Sequence, residues 1–394
     1  MPQRRIFVNR FRSEQPAYRV GQSQALNWLG EAHTQAESLS AAREGVSFHK
    51  DAFREKIQDL LRRYGCREDK ISARASQNED FTHTNWSEMK VFRLDETPQG
   101  RGATVRSRFF ESATAPVFER LFADRPEPPG DIVHVTCTGY SSPSVAQNFV
   151  SQQGWGSVCR VTHAYHMGCY AAFPALRVAS SLVHAPPGLR SRGQPRVDIV
   201  HTELCTLHLN PSIHTPEQLV VQSLFADGFI VYSLVEADHV PAESSLELLA
   251  LDEIVIPDSA ESMSWVCSDW GMQMTLARDV PEKLVGSLRP FVDELFARAR
   301  LNEQERNEAF YGIHPGGPKI LAGVQKLLGL DSKQVAHSRA VLFDCGNMSS
   351  ATLPHVWQRM LSDDRLPSGQ AVLSLAFGPG LTLCGAVMRK VGAC

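Results

Sequence analysis

The feature of this sequence that most constrains its fold is a repeated order of strand, turn and helix from residue 131 onward. In the first series, apolar runs and helical periodicity predict a strand at 132–137, helices at 143–152 and 169–182, and strands at 196–207 and 225–233. In the second series, they predict a helix at 280–300, a strand at 308–313, helices at 318–328 and after residue 347, and strands at 371–377 and 381–389. Strands that alternate with helices need crossover connections, so the pattern predicts an α/β fold with a mostly parallel sheet covered by helices.

The two series have a similar rhythm, which predicts two halves, 1–237 and 238–394. A length of 394 residues fits about two domains or one domain built from two fused halves. Ahead of the first series, the sequence predicts helices at 23–37, 51–64 and 105–122, a charged surface excursion at 66–102, and a loop at the Pro/Gly cluster 125–130.

Composition excludes several classes of protein. The chain is 43% hydrophobic and 21% charged, which is ordinary for a globular protein with a large core. The 40 Lys and Arg against 43 Asp and Glu provide no cationic field for nucleic acid or an anionic membrane. The nine cysteines are scattered without a CxxC pair, which argues against structural zinc and a disulfide framework. No apolar run is long enough to cross a membrane, so we expect a cytoplasmic protein without metal or membrane insertion.

Three short segments carry candidate chemical groups. Cys169 follows Gly168 at the start of an apolar helix, where the helix dipole and free N–H groups favour a thiolate. His314 lies in a Gly/Pro-rich turn between a predicted strand and helix, and Asn347 lies in a Gly/Ser turn that opens a helix. Taken singly, each has a more ordinary interpretation: a buried small hydrophobe, a surface histidine and a helix cap.

Together, the order Cys, His, Asn permits nucleophilic catalysis at a thioester or an amide, with His and Asn donating hydrogen bonds to an oxyanion. Papain-type proteases share this order. Their C-G-S-C-W signature is absent, however, and the cysteine is central in the chain rather than near its beginning. A protease is therefore a weak interpretation.

Six segments in order resemble the chalcone-synthase-like type III polyketide synthases of the thiolase superfamily. They are Gly168-Cys169, 224–228 (LFADG), Gly271-Met272 with 278–281 (RDVP), 314–318 (HPGGP), 346–350 (GNMSS) and 377–382 (FGPGLT). The resemblance extends from about residue 5 to 391 and is weakest at 66–110. It implies a thiolase-like fold, in which two similar βαβαβαββ halves form a five-layer αβαβα arrangement, and a homodimer.

The resemblance also implies roles for the three candidates. Cys169 would accept the acyl chain, and His314 and Asn347 would stabilise enolate or oxyanion charge. Substrates would arrive as phosphopantetheine thioesters on an acyl carrier protein or coenzyme A, with no further cofactor. Glu203 matches a family carboxylate, which is either a general base or a structural group.

Cavity positions follow from the same resemblance, and several depart from the family pattern. Phe225 would form the neck, Ser349 would line the cavity, and Gly378, Pro379 and Gly380 would form the loop behind it. Met274 replaces a second neck phenylalanine, and Trp265 stands near a position that is usually small. Cys205 and His208 occupy wall positions where threonines are typical.

The basic cluster expected to hold coenzyme A phosphates is thin in this chain. Arg62, Lys70 and Arg74 are the candidates on the carrier or phosphopantetheine side. They would meet either an acidic acyl carrier protein or only solvent.

The leading hypothesis is a ketosynthase that joins two β-ketoacyl chains through an acyl intermediate on Cys169 and closes an α-pyrone by lactonisation. In this the chain resembles the stand-alone ketosynthases of α-pyrone antibiotics of the myxopyronin and corallopyronin type. One alternative is an iterative type III polyketide synthase or a ketoacyl synthase III-like enzyme that uses malonyl-coenzyme A. Another, from outside the enzymes, is an inactive subunit that binds carrier protein.

Overall fold

The computed structural model describes residues 4–277 and 279–392, and the chain there forms helices packed on one large sheet. Arg278, part of one of the quoted segments, lies outside the described residues. The described strands are β1 (Arg5–Glu14), β2 (Tyr18–Gly21), β3 (Ala73–Ser76), β4 (Pro129–Thr136), β5 (Arg160–Tyr165), β6 (Gln194–Leu204), β7 (Asp227–Ala237), β8 (Ser245–Val255), β9 (Met263–Cys267), β10 (Met272–Leu276), β11 (Phe310–Ile313), β12 (Ala371–Gly378) and β13 (Thr382–Val391). The described helices are α1 (Gln22–Glu44), α2 (Lys50–Tyr64), α3 (Ala103–Leu121), α4 (Val145–Gln152), α5 (Ala172–Val183), α6 (Pro216–Leu224), α7 (Val280–Arg298), α8 (Glu303–Asn307), α9 (Pro318–Leu328), α10 (Ala336–Cys345) and α11 (Thr352–Leu361).

Nine strands form the central sheet in the order β11-β12-β13-β8-β1-β7-β6-β4-β5. The first strands of the two halves, β1 and β8, pair antiparallel near the middle of this order. The prediction of a mostly parallel sheet is wrong, because only β4–β5, β4–β6 and β11–β12 are parallel. Each half ends on a strand that runs antiparallel to its neighbours, β7 in the first and β13 in the second.

Three hydrophobic cores divide the molecule into five layers. Helices α1, α3 and α4 pack on one face of the first half-sheet, and α7 and α9 pack on one face of the second. Helices α5 and α11 lie in the core between the two half-sheets. Along β7, Phe229 and Val231 face the outer core while Ile230 and Tyr232 face the central one, as strand alternation requires. This is the αβαβα arrangement that the family resemblance implies.

The predicted helix at Cys169 begins differently from the expectation. A 3-10 turn at Gly168–Tyr170 comes first, and the α-helix starts at Ala172. Pro174 is therefore in the first turn of α5, where no intrahelical bond needs its missing N–H.

The excursion at 66–102 is not a surface segment. Val91, Phe92 and Leu94 are buried in the outer core of the first half. The buried Asp80 carboxylate accepts hydrogen bonds from the N–H groups of residues 90, 91 and 92 at 2.7–2.9 Å. Although this segment is rich in charged residues, its main chain at 90–92 packs into the core around the carboxylate of Asp80.

Candidate active site

Cys169 is presented at a tight turn between β5 and α5. Gly168 has φ +74°, and a Cβ there would lie 2.8 Å from Cδ of Pro379, so only glycine fits without a shift. Cys169 itself is buried. Burial raises the pKa of its thiol to about 12, against opposing hydrogen bonds with Ser349 and Asn347. The thiol is therefore protonated in this arrangement.

His314 follows the last residue of β11 and is fixed by its main chain. Its N–H donates to the carbonyl of Leu375 on β12 at 2.7 Å. The side chain is buried, and neither ring nitrogen has a hydrogen-bond partner among the described residues. Burial lowers the pKa of His314 to about 3, so the imidazole is neutral. A buried neutral imidazole with both nitrogens free can either accept a proton or donate one.

Asn347 connects the two halves of the site. Its N–H donates to the carbonyl of Leu224 at 3.0 Å, and its own carbonyl accepts from the N–H of Ala226 at 2.8 Å. Its side-chain Oδ1 accepts from the N–H of Ser349 at 2.9 Å, and its Nδ2 lies 3.5 Å from the carbonyl of Gly316. Because Oδ1 is held by the following turn, the amide N–H₂ faces the loop that carries His314.

A cavity with an empty volume of about 550 Å³, including space open to solvent, adjoins Cys169. Of the residues singled out from the sequence, eight line it: Cys169, Cys205, His208, Phe225, Trp265, Met274, Ser349 and Pro379. His314, Asn347, Glu203, Gly378 and Gly380 are not among its lining residues. Lining residues that sequence reasoning missed include Cys137, Thr138, Gln222 and Met263. Cys137 directly follows β4, and polar residues at the carboxyl end of a buried parallel strand were the signal that could have found it.

A hairpin of β9 and β10, Met263–Leu276, forms one side of the cavity, and we call it the wall hairpin. Trp265 and Met274 are directly opposite each other in its register. The indole N–H of Trp265 donates to the carbonyl of Cys137 at 2.7 Å, and Gln218 Nε2 donates to the carbonyl of Met274 at 2.6 Å. Trp265 and Met274, one on each strand of the hairpin, therefore both line the cavity, and a hydrogen bond to the rest of the protein holds each of them in place.

His208 joins the wall hairpin to the rest of the cavity. Its Nδ1 accepts from the N–H of Met272 at 3.0 Å, so its Nε2 carries the proton and donates to the carbonyl of Thr138 at 2.9 Å. Burial lowers the pKa of His208 to about 3, which keeps the ring neutral in this role. His208 thus fastens the wall rather than presenting a charge to the cavity.

Glu203 is completely buried behind the cavity. Its carboxylate accepts hydrogen bonds from the Cys137 N–H at 3.1 Å, from Thr138 Oγ1 at 2.8 Å and from the Ser350 hydroxyl. Burial raises the pKa of Glu203, against these hydrogen bonds. Since the carboxylate does not line the cavity, it reaches a substrate only through a neighbouring side chain.

The three predicted carrier-side cations are not alike. Arg62 and Lys70 are exposed and pair with Asp59 and Asp69. Arg74 is fully buried, where it donates to the main-chain carbonyls of Gln222 at 2.7 Å and Phe225 at 2.9 Å. Its placement on a carrier-facing surface is therefore wrong: the guanidinium holds the end of α6 and the main chain of Phe225 from inside.

Within the described ranges, no helix is long and apolar enough to span a membrane. The same part of the chain contains no group of three or more His, Cys, Asp or Glu side chains placed to hold a metal ion.

Fold and site together define a thiolase-like condensing enzyme, and comparison with known proteins identifies its family. Residues 247–392 match the family model of the C-terminal domain of chalcone and stilbene synthases, a region that contains His314 and Asn347. Type III polyketide synthase C of Arabidopsis thaliana is 30% identical over 265 residues, which cover 66% of this chain and 67% of that protein. Probable polyketide synthase 1 of Dictyostelium discoideum is also 30% identical, over 66% of this chain but only 8% of its own length.

Solved structures agree on the fold. PKS-I of the brown alga Ectocarpus siliculosus superposes with a TM-score of 0.82 at 20% identity, covering 99% of this chain and 100% of that one. The C-terminal type III domain of the Dictyostelium hybrid Steely1 gives 0.79 at 23% identity, with coverage of 98% and 99%. The chain belongs to the type III polyketide synthases, and it is accordingly a ketosynthase that performs Claisen condensation.

Proposed function

We propose that this type III polyketide synthase joins two β-ketoacyl thioesters and closes the product to an α-pyrone. The observation that carries the proposal is a cavity lined by Cys169 and Ser349, with Asn347 held against Ser349 behind it. The Nδ2 group of Asn347 lies 3.5 Å from the carbonyl of Gly316, on the loop that bears the neutral His314, whose ring nitrogens have no partner among the described residues. We extend it to an acyl carrier protein as the delivery partner, a homodimer, and a cytoplasmic role in making an antibiotic-like pyrone.

Loading comes first. The Cys169 thiol attacks the thioester carbonyl of one chain and displaces the phosphopantetheine thiol. Because burial keeps the thiol protonated, the attack requires a base. His314 is suited to that task, since its neutral ring has free nitrogens.

Condensation follows when His314, after it has passed the Cys169 proton to the departing phosphopantetheine thiolate, takes a proton from the carbon between the ketone and thioester carbonyls of the second chain. This carbon attacks the Cys169 thioester, a C–C bond forms, and the Cys169 thiolate leaves and takes the proton back from His314. A protonated ring nitrogen of His314 and the Nδ2 group of Asn347 would donate hydrogen bonds to the enolate and to the tetrahedral oxyanion.

Ring closure completes the sequence. The enol oxygen of the first chain attacks the thioester carbonyl that still links the second chain to its carrier. A C–O bond forms, the C–S bond to phosphopantetheine breaks, and a six-membered lactone leaves.

Two observations favour preformed chains on a carrier protein over malonyl-coenzyme A. The exposed Arg62 and Lys70 are paired with Asp59 and Asp69, which leaves little free positive charge there for coenzyme A phosphates. In addition, Trp265 and Met274 both line the cavity, at positions where the family resemblance leads us to expect a smaller residue and a phenylalanine.

The experiment supplies purified protein with two β-ketoacyl thioesters on carrier protein, without any malonyl donor, and measures products by mass spectrometry. The proposal predicts a pyrone whose mass accounts for both chains. Extension that occurs only after malonyl-coenzyme A is added would assign the chain to the iterative type III enzymes. Carrier binding without acylation or product would make it an inactive subunit.

A further inference from the structure

We propose that Cys137 is the acid–base group at the cavity wall that closes the lactone ring, by passing a proton to Glu203. This inference rests on the proposed function, because it assigns residues to its final step. It concerns a second thiol, distinct from the Cys169 nucleophile.

Cys137 stands between the cavity and the buried carboxylate. Its Sγ lies 3.4 and 3.5 Å from the two carboxylate oxygens of Glu203 and 3.0 Å from Oγ of Ser349. It lines the same cavity as Cys169 and Ser349. Cys137 therefore faces the space that a chain bound at Cys169 would occupy.

Thr138 is the other cavity-lining residue whose side chain bonds to Glu203, and its hydroxyl already makes two hydrogen bonds. The hydroxyl of Thr138 donates to Glu203 at 2.8 Å and accepts from the N–H of Leu204 at 2.9 Å. A thiol is also a stronger acid than a hydroxyl in the same buried surroundings, so Cys137 exchanges a proton with an enol more readily than Thr138 does.

A longer hydrogen-bonded chain holds the carboxylate from behind. Ser350 donates to Glu203, and its Oγ lies 3.0 Å from Nδ1 of His201. Nε2 of His201 in turn lies 3.1 Å from the hydroxyl of Tyr232. All of these groups are buried, so Glu203 keeps a fixed position and has Cys137 as its route to the cavity.

The pKa directions agree with a relay rather than a second nucleophile. Burial and the nearby Glu203 raise the pKa of the Cys137 thiol well above its ordinary value, so it stays protonated. Burial raises the pKa of Glu203, which makes the carboxylate a better proton acceptor.

In the ring-closing step, the enol O–H gives its proton to Sγ of Cys137 while the Cys137 proton moves to Glu203. The enol oxygen forms the C–O bond to the carrier thioester carbonyl, and the C–S bond breaks. The phosphopantetheine thiolate then takes up a proton from Cys137, and Glu203 returns its proton to Cys137, so the step is neutral overall and both groups end as they began.

The test measures joining and closure separately in single turnovers with two β-ketoacyl carrier-protein thioesters. Rapid quenching and intact mass spectrometry follow loading of Cys169, the joined linear chain still on the carrier, and the free pyrone. In Cys137→Ala and in Glu203→Gln, we expect conversion of the joined chain to pyrone to slow by at least tenfold more than loading and joining do. Cys137→Ser, which keeps an O–H donor to Glu203, should recover part of the closure rate.

The matched control is Cys384→Ala, which removes a buried thiol that contacts a carboxylate, Glu253 at 3.8 Å, outside the cavity. Its closure rate should equal that of the wild type. Unchanged closure in both Cys137→Ala and Glu203→Gln would overturn the relay while leaving the proposed function intact. Failure of the wild-type protein to join the chains would overturn the proposed function and the relay with it.

Discussion

The proposed catalytic cluster of Cys169, His314 and Asn347 and the wall hairpin Met263–Leu276 each contribute residues to one cavity, Cys169 from the cluster and Trp265 and Met274 from the hairpin, but the two regions are held in different ways. The cluster is placed by main-chain hydrogen bonds, such as those of His314 with Leu375 and of Asn347 with Leu224, and by the contact of Gly168 with Pro379. The hairpin is attached mainly through side chains, including those of Trp265 and Gln218.

This difference separates what the fold determines from what substitution can change. A residue held by main-chain hydrogen bonds keeps its position when the side chains around it are substituted. The positions of Cys169, His314 and Asn347 therefore depend on the fold itself. An element attached by three or four side-chain hydrogen bonds, each contributing about 1 kcal/mol, can shift when one of them changes. We therefore expect cluster substitutions to stop steps of the reaction and hairpin substitutions to change which chains are accepted.

The largest effect should come from Cys169→Ala. Without the thiol no acyl-enzyme forms, and product formation should fall by about 10³-fold or more, as expected when a nucleophile is removed. Intact mass spectrometry after incubation with an acyl thioester checks the loading step. An acyl adduct of normal stoichiometry in this variant would show that another residue is loaded.

His314→Ala should impair both steps, and condensation more than loading. Slow loading should persist, while condensation by the preloaded enzyme should fall roughly 10²- to 10³-fold, the effect of losing one oxyanion donor. Single-turnover kinetics with preloaded enzyme separate condensation from loading. Asn347→Ala removes the second proposed donor and provides the comparison. Condensation at the wild-type rate in both variants would remove the pair from the mechanism.

Met274→Phe tests the wall by adding bulk opposite Trp265. We expect kcat/KM for long or branched chains to fall about 10- to 200-fold relative to short ones, the range for a misfit of one or two methylene groups. Competition between thioesters of different length measures the ratio. Met274→Leu, which nearly conserves volume, is the matched control, and indifference of Met274→Phe to chain length would mean that this side chain does not limit the cavity.

Trp265→Phe removes the indole donor to the Cys137 carbonyl but keeps an aromatic ring. The free energy of unfolding should decrease by about 1 kcal/mol, the usual value of one hydrogen bond. Urea denaturation measures it against Val266→Ala, an exposed position on the same hairpin where little change is expected. Equal stabilities of the two variants would argue that the indole bond does not anchor the hairpin.

Acid should weaken both regions. Burial lowers the pKa of five histidines to about 3, namely His33, His134, His201, His208 and His314, and that of His355 to about 4. As the pH falls, these histidines therefore take up protons in the unfolded chain at a higher pH than in the folded one. The free energy of unfolding consequently decreases as the pH drops below about 6.5. Each contributes up to about 1.4 kcal/mol per pH unit.

The opposite contribution comes from Asp227, whose pKa burial raises to about 7, and from Glu203, but the histidines outnumber these carboxylates. Urea unfolding at pH 7.5, 6.5 and 5.5 should show the decline. His208→Asn, which can still accept from the N–H of Met272, should reduce the slope by about one proton. A slope unchanged by that variant would mean that His208 is not held neutral in the wall.

Sequence patterns indicate the local backbone at Cys169, His314 and Asn347 more directly than they indicate the wall hairpin. The Gly- and Pro-rich segments around Cys169, His314 and Asn347 specify local backbone geometry, which is what a single sequence can encode. The wall hairpin has no such signal, because its position depends on contacts with residues far along the chain, such as Gln218.

Other differences have the same origin. The charge of Arg74 suggests an exposed position, yet its hydrogen-bond partners are main-chain carbonyl groups 148 and 151 residues away in the sequence. The opening strand β1 carries charges that mask its pattern, and they are satisfied by distant partners, for example Arg5 by Glu247 on β8. The burial of Arg74 and the strand at Arg5 therefore depend on contacts with residues far away in the sequence, which a local pattern does not show.

The most direct test of this account follows carbon atoms through one turnover. Cys169 is loaded with a β-ketoacyl chain labelled with ¹³C at its thioester carbonyl, and an unlabelled β-ketoacyl carrier protein is then added without malonyl donor. The account predicts a pyrone with the label at C4, the carbon bonded to Cys169 before condensation, and the lactone carbonyl unlabelled. A label at the lactone carbonyl, or no pyrone until malonyl-coenzyme A is added, would contradict it.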